Sequence, residues 1–181
     1  MKRRFGLRIR ILSQKDAQYM YEWMHDDDVT KDLRGHFKDK TLEDCRSFIR
    51  EEMTDAKEFI ESDKSVENIH LAITNNNDIY MGTVSLKNIS YDNFTAEFAI
   101  TVRKEAMGMG YAAFGMKSII KLGFSKGLKK IFWCVSKYNQ RAIKFYNKNG
   151  YRMTESVPQN IKNRYSEIQA ELLWYCAEST I

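Results

Sequence analysis

Proline is nearly absent from this sequence: Pro158 is the only one in 181 residues. With nine glycines, no internal repeat and no Ser/Gly/Pro stretch, the chain is neither a linker nor a low-complexity or collagen-like polymer. No apolar run approaches the roughly 18 residues of a membrane-spanning helix, so no membrane partner is expected. The start, Met1-Lys2-Arg3-Arg4-Phe5, is basic, but Arg8 and Arg10 interrupt any apolar signal core. Three cysteines, Cys45, Cys134 and Cys176, form no CxxC pair and are odd in number. They exclude a disulfide scaffold, give no metal site, and fit a reducing cytoplasm. The most informative absence is of negative charge: no acidic residue lies between Glu105 and Glu155, where ten Lys or Arg stand.

What is present fits one globular domain, since domains run roughly 100–200 residues and 43% of the side chains are hydrophobic. The net charge of +5 is unevenly spread. Residues 13–70 hold 16 acidic and 9 basic side chains, whereas residues 71–181 hold 8 acidic and 15 basic. One reading is a pair of solvated faces. The other is a polyanion held by the C-terminal half, with the acidic segment Asp26-Asp27-Asp28, Glu43, Asp44, Glu51 and Glu52 suited to a cationic acceptor. A nucleic-acid partner is not expected, because the basic residues alternate with apolar positions on amphipathic helices and no nucleic-acid motif occurs.

Periodicity predicts the elements. Leu7–Leu12 reads as a strand. Ser13–Asp16 has capping-box form before the stripe Tyr19, Met20, Trp23 and Met24. Thr41–Asp44 opens a second helix carrying Cys45, Phe48, Ile49, Met53, Ala56, Phe59 and Ile60 at helical spacing. Ile69–Thr74 and Ile79–Leu86 form a hairpin around Asn75–Asp78, and Thr95–Val102 is a further strand. Tyr111–Lys126 is a helix, Ile131–Val135 a buried strand, Asn139–Asn149 a helix closed by Gly150, and Ile168–Cys176 a final strand. The class is mixed α/β around one sheet.

Two motifs could carry chemistry. Gly108-Met109-Gly110-Tyr111-Ala112-Ala113 follows a strand and opens a helix. Glycines there let a ligand approach the backbone, and free N–H groups at a helix start favour phosphate. A plain strand-to-helix turn uses the same residues. A dinucleotide fingerprint needs an acidic residue about 20 positions on, and that region has none, so a ligand with several phosphates fits better. The second motif runs from Asn139 through Arg141, Ala142, Phe145 and Tyr146 to Gly150-Tyr151. Taken alone, it is also an N-cap followed by a core stripe.

Together and in this order the motifs resemble the GNAT superfamily of N-acetyltransferases. The second pattern, Asn-x-x-Ala-x-x-[Phe/Leu]-Tyr-x-x-x-Gly-[Phe/Tyr], matches at every position. The first, [Gln/Arg]-x-x-Gly-x-[Gly/Ala], matches at Gly110 and Ala112 but has Met107 where Gln or Arg is usual. Tyr19–Trp23 and His25–Val29 are also similar to the first helix of the ribosomal-protein N-terminal acetyltransferase subgroup. The resemblance implies a single acetyltransferase domain over residues 1–181. Its sheet would be twisted, mostly antiparallel, splayed at the central strands and covered by helices on both faces. It implies acetyl-CoA as co-substrate, with the pantetheine arm against strand backbone at Ile100 and Val102. The pyrophosphate would lie on Gly108, Met109, Gly110, Tyr111, Ala112 and Ala113, with further contacts from Asn139, Arg141 and Lys144.

The chemistry sets further demands. A lysine-type amine, with a pKa of about 10.4, must lose a proton before it attacks a thioester. The leaving thiolate departs more easily when an acid protonates it. Tyr146 matches the family tyrosine that serves as this acid. Glu97, the only acidic residue in Thr95–Val102, is either the base on the amine side or a sheet-face carboxylate in an ion pair. The expected reaction is direct acetyl transfer to a primary amine in a ternary complex. The amine belongs to a small molecule (polyamine, amino sugar or aminoglycoside) or to a protein amino terminus, and a homodimer is left open. The alternative is a non-catalytic acyl-CoA-binding sensor.

Overall fold

The computed structural model describes residues 6–62 and 64–180, so the basic Met1–Phe5 segment lies outside them. Six strands form one sheet in chain order: β1 (Arg8–Ile11), β2 (Ile69–Thr74), β3 (Tyr80–Ser90), β4 (Thr95–Val102), β5 (Lys130–Ser136) and β6 (Leu172–Glu178). Every pairing is antiparallel except β4 with β5. That parallel pair needs a crossover, supplied by helix α4 (Tyr111–Ser125) in the order below.

Helices α1 (Ala17–Met24), a single turn α2 (Asp27–Thr30) and α3 (Leu42–Glu61) precede β2. The Thr41 capping box starts α3: Thr41 Oγ1 accepts from the Asp44 N–H (3.1 Å) and Asp44 Oδ2 accepts from the Thr41 N–H (2.7 Å). Helix α5 (Gln140–Lys148) follows β5, and a short α6 (Gln159–Lys162) precedes β6.

Side-chain alternation divides the sheet into two covered faces. Ile69, Leu71, Ile73, Val84, Leu86, Ala96, Phe98, Ile131 and Trp133 join one core with α4 residues Met116, Ile119 and Ile120 and with Tyr146 of α5. Gly115 lets α4 lie close on this face, since a Cβ there would overlap Ile73 Cδ1. On the opposite face α1 and the first half of α3 bury Leu12, Trp23, Cys45 and Ile49 against Ala72 and Tyr80. At the far edge of that face Val157, Ile161 and Tyr165 pack on Phe132 and Trp174.

Two elements differ from the periodicity reading. β3 runs on to Ser90, past a register shift where Asn88 takes φ 51°. β6 starts at Leu172 rather than Ile168, because residues 163–171 wind as 3₁₀ turns with a kink at Tyr165.

Candidate active site

The sheet opens at its centre. β4 and β5 pair only through Thr95–Lys130, Ala96–Ile131 and Glu97–Phe132, although both strands continue for several residues. The β3–β4 register decides which backbone groups face the gap. The Arg103 N–H donates to the Met81 carbonyl (2.9 Å). By the two-residue alternation of an antiparallel ladder, Thr101, Ala99 and Glu97 also bond toward β3. The N–H and C=O groups of Phe98, Ile100 and Val102 therefore point into the splay, which is where sequence reasoning put Ile100 and Val102.

Beyond the end of β4 lies the glycine loop. Gly108 (φ 75°) and Gly110 (φ 90°) hold left-handed backbone conformations, and a Cβ on either would meet no atom within 4 Å. Both glycines thus answer a demand of backbone shape and leave open space in front of them. The first helical bond of α4 runs from the Phe114 N–H to the Gly110 carbonyl (3.0 Å). The N–H groups of Tyr111, Ala112 and Ala113 accordingly have no helical acceptor, and Gly110 as N-cap brings no side chain to them. Tyr111 is buried in the core, whereas Met109 is exposed. The residues of this loop therefore offer a ligand mainly N–H groups and a helix N-terminus.

Across the splay, α5 presents Tyr146. Its ring packs against Trp133 (5.5 Å between centroids), Tyr175 (5.1 Å) and Phe145 (5.3 Å). Burial, with Cys134 and Tyr175 adding to it, pushes the hydroxyl pKa above its ordinary value, so the group keeps its proton. No described residue hydrogen-bonds that hydroxyl. Trp133 Nε1 is a buried N–H with no partner among the described residues, and Phe98 of β4 meets its ring at 5.5 Å. Asn139 acts as N-cap, its side chain accepting from the Ala142 N–H (2.9 Å). Arg141 reaches back across the mouth to the Asp28 carbonyl (3.3 Å), Asp32 (3.7 Å) and Met107 Sδ (3.2 Å). A guanidinium thus stands beside residue 107 even though residue 107 is not basic. Lys144 is exposed on α5.

On the opposite face a cleft of about 330 Å³ lies over β3 and β4. Trp23, Met24, Phe37 and Phe48 form its apolar wall, while His70, Thr83, Ser85, Lys87, Ala99 and Thr101 form its floor. Glu97 sits beside this floor and is 2% exposed. Both of its oxygens are taken. Asn88 Nδ2 (3.0 Å) and Arg164 Nη1 donate to Oε1, and the Tyr165 hydroxyl donates to Oε2 (2.6 Å). Burial first, and Glu97 next, raise the Tyr165 pKa. Arg34 stacks on the Tyr165 ring at 5.5 Å, and Lys87 lies opposite Glu97 in the β3–β4 register. Neither cation has a carboxylate within 4 Å among the described residues.

The acidic N-terminal segment is not a free negative surface. Asp26 caps α2, Asp27 pairs with Lys38, Asp28 with Lys104 (2.6 Å), Asp32 with Arg141, and Glu43 with Arg50 (2.8 Å). Cations of the chain thus occupy Asp27, Asp28 and Glu43, whereas Asp44 lines the cleft described above and Glu52 lies beneath it beside His70.

A family model for the acetyltransferase (GNAT) domain matches residues 6–152. The chain belongs to the GNAT acetyltransferase family. Solved structures agree in fold. The spermidine N-acetyltransferase from Vibrio cholerae, in complex with CoA and spermine, superposes with a TM-score of 0.72 at 15% identity, covering 95% of each chain. The microcin C7 self-immunity acetyltransferase MccE, in complex with acetyl-CoA and AMP, gives 0.72 at 18% identity, covering 96% of this chain and 92% of that one. The PaiA N-acetyltransferase from Thermoplasma acidophilum, in complex with coenzyme A, gives 0.68 at 15%, covering 96% and 99%. No curated protein matches by sequence.

Set against the GNAT pattern, the structure brings Ile100, Val102, the Gly108–Ala113 loop, Arg141 and Tyr146 to one opening, with Asn139 spent on its helix. Glu97 lies on the other face of β4, inside its ion pair. Sequence reasoning missed Trp133, Ser85, His70, Lys87, Arg34, Arg164 and Tyr165. The apolar run around Trp133 marked a buried strand, but nothing in the spacing of the others marked them as neighbours.

Proposed function

We propose that this GNAT chain transfers the acetyl group of acetyl-CoA to a primary amine. The observation that carries the reading is the splay. Three backbone rungs of β4 open beside Trp133, whose buried N–H, like the hydroxyl of the neighbouring Tyr146 that burial keeps protonated, has no hydrogen-bond partner among the described residues. The residues fit the co-substrate. The Gly108–Ala113 amides and Arg141 would hold its phosphates, and Phe98, Ile100 and Val102 its pantetheine amides. When bound, acetyl-CoA supplies an activated thioester carbonyl. Tyr146 then protonates the departing sulfur, and its buried ring neighbours keep the hydroxyl aimed and protonated. Glu97, with both oxygens engaged, serves as a post that ties residues 163–171 over β4.

The cleft favours a particular kind of acceptor. Its walls are aromatic and thioether-rich, Lys40 and Asp44 stand at its rim, and Lys87 on its floor has no carboxylate within 4 Å among the described residues, the neighbouring Glu97 being held by Arg164. Such a site disfavours a polyamine and suits an amine that also carries a carboxylate or phosphate. The neighbour names spermidine N-acetyltransferase and MccE span both kinds. Thiol release from acetyl-CoA against spermine, kanamycin, an alanine-terminated peptide, glucosamine and glucosamine 6-phosphate tests the reading. Acetyl transfer, with the phosphorylated sugar preferred over its neutral twin, is expected. Tight CoA binding without thiol release for any amine would instead favour the sensor reading.

A further inference from the structure

The amine has to lose its proton, and Glu97 is tied up. A different set of groups lies under the cleft. Ser85 and His70 both line its floor, and His70 Nδ1 is 2.7 Å from Ser85 Oγ. His70 Nε2 points to Glu52 Oε2 at 3.6 Å, and that oxygen is buried with no hydrogen-bond partner among the described residues. Phe48 packs edge-on against the imidazole at 5.0 Å and shields it. Ser85 lies opposite Ala99 in the β3–β4 ladder, next to the half of β4 that faces the splay. Ala99 lines the same cleft as Ser85 and contributes only a methyl group to it.

We infer that Ser85, His70 and Glu52 form the proton-withdrawal path for the acceptor amine, an inference that rests on the acetyltransferase reading above. Ser85 Oγ takes a proton from the ammonium nitrogen while its own proton passes to His70 Nδ1. The Nε2 proton of His70 moves to Glu52 Oε2. The amine keeps its lone pair, the imidazole stays neutral in its other tautomer, and Glu52 becomes a carboxylic acid. Ser85 is the catalytic residue of this path; His70 and Glu52 act through it as positioning and relay groups.

The surrounding charges support these states. Burial, then Lys87 of β3, lowers the His70 pKa to about 4, so the ring is neutral and its Nδ1 lone pair is available at working pH. Burial, then Asp55 and Glu51 on the same helix, raises the Glu52 pKa and makes it a better proton acceptor. The rim charges Lys40 and Asp44 face the cleft from the loop before α3 and from its first turn. The Glu52 side chain is 20% exposed, which gives the proton an exit to solvent.

The test is the pH profile of kcat/KM from pH 6 to 10 for wild type, Ser85→Ala, His70→Gln and Glu52→Gln. It uses whichever panel amine turns over fastest, alongside acetyl-CoA affinity by calorimetry. Ser85→Ala and His70→Gln should lose about 10²–10³-fold near pH 7. That loss should shrink about tenfold per pH unit toward the amine pKa, as neutral amine becomes available without help. Glu52→Gln should show a smaller loss of the same shape, and acetyl-CoA affinity should not move. A defect constant across pH, or losses under about threefold, would overturn the path. A wild type that binds CoA but releases no thiol with any amine would overturn both the functional reading and this path.

Discussion

If His70 is buried as the neutral base, folding itself must become pH-dependent through it. Its pKa falls from 6.5 to about 4 in the folded chain, chiefly through desolvation. The unfolded chain therefore binds the proton more tightly. Stability is complete above the unfolded pKa and is lost as pH falls from 6.5 toward 4. Linkage gives a loss of about 1.3 kcal/mol between pH 7.5 and 5.5, and about 3 kcal/mol by pH 4. The perturbation is His70→Gln, which keeps a polar side chain beside Ser85 but has no charge to gain. Urea unfolding of both proteins at pH 7.5 and 5.5 isolates the effect, since all other titrating groups cancel in the double difference. Wild type should lose about 1.3 kcal/mol more than the variant on acidification. A double difference below about 0.3 kcal/mol, or one of opposite sign, would refute the claim that His70 is held neutral by burial.

The machinery on the other side of β4 yields further expectations. Gly110→Val forces a β-branched residue to φ 90° with no steric clash to absorb; the strain of about 1–2 kcal/mol should weaken CoA binding by about tenfold in a calorimetric titration. Tyr146→Phe keeps the ring packing and should lower kcat by about 10²–10⁴-fold with acetyl-CoA affinity unchanged; because burial raises its pKa, wild-type kcat should show no alkaline decline from this group up to pH 10. Glu97→Gln should cost about 1–3 kcal/mol of stability in urea unfolding and speed proteolysis within residues 163–171, with an activity defect that is flat from pH 6 to 10. A Glu97→Gln defect that fades at high pH would return the base role to Glu97.

Much of the fold was legible because its signals are local. The Thr41–Asp44 box starts α3 where the spacing predicts, and Thr95–Val102 is β4 to the residue. The glycine loop and the Asn139–Tyr151 pattern were legible for the same reason: each needs a special backbone angle or a fixed helical spacing, and both constraints are written in consecutive residues. The failures are tertiary. Asn88 looks like a strand end, yet β3 continues past it, since Asn88 takes a positive φ and its amide nitrogen donates to Glu97. Ile168 looks like the start of a strand, yet Arg164 and Tyr165 are held by that same carboxylate and the chain winds until Leu172.

Glu97 therefore explains two errors of secondary structure together, and its surroundings favour the ion-pair alternative of the two that the sequence left open. Its position on β4 was read correctly, but a carboxylate on a strand is a base or a post according to what surrounds it. The deciding partners are Arg164 and Tyr165, nearly seventy residues away in the chain. The Ser85–His70 pair, only 15 residues apart, was hidden for a related reason: its members face each other only because β2 and β3 pair in the register that sets His70 against Ser85. A one-residue slip of that register would turn Ser85 toward α4, away from the cleft floor. The register is fixed by Leu71 and Ile73 on one face and Ala72 on the other, buried against two separate cores. The apolar pattern that was legible as a buried strand is thus also what holds the unrecognised polar pair in place.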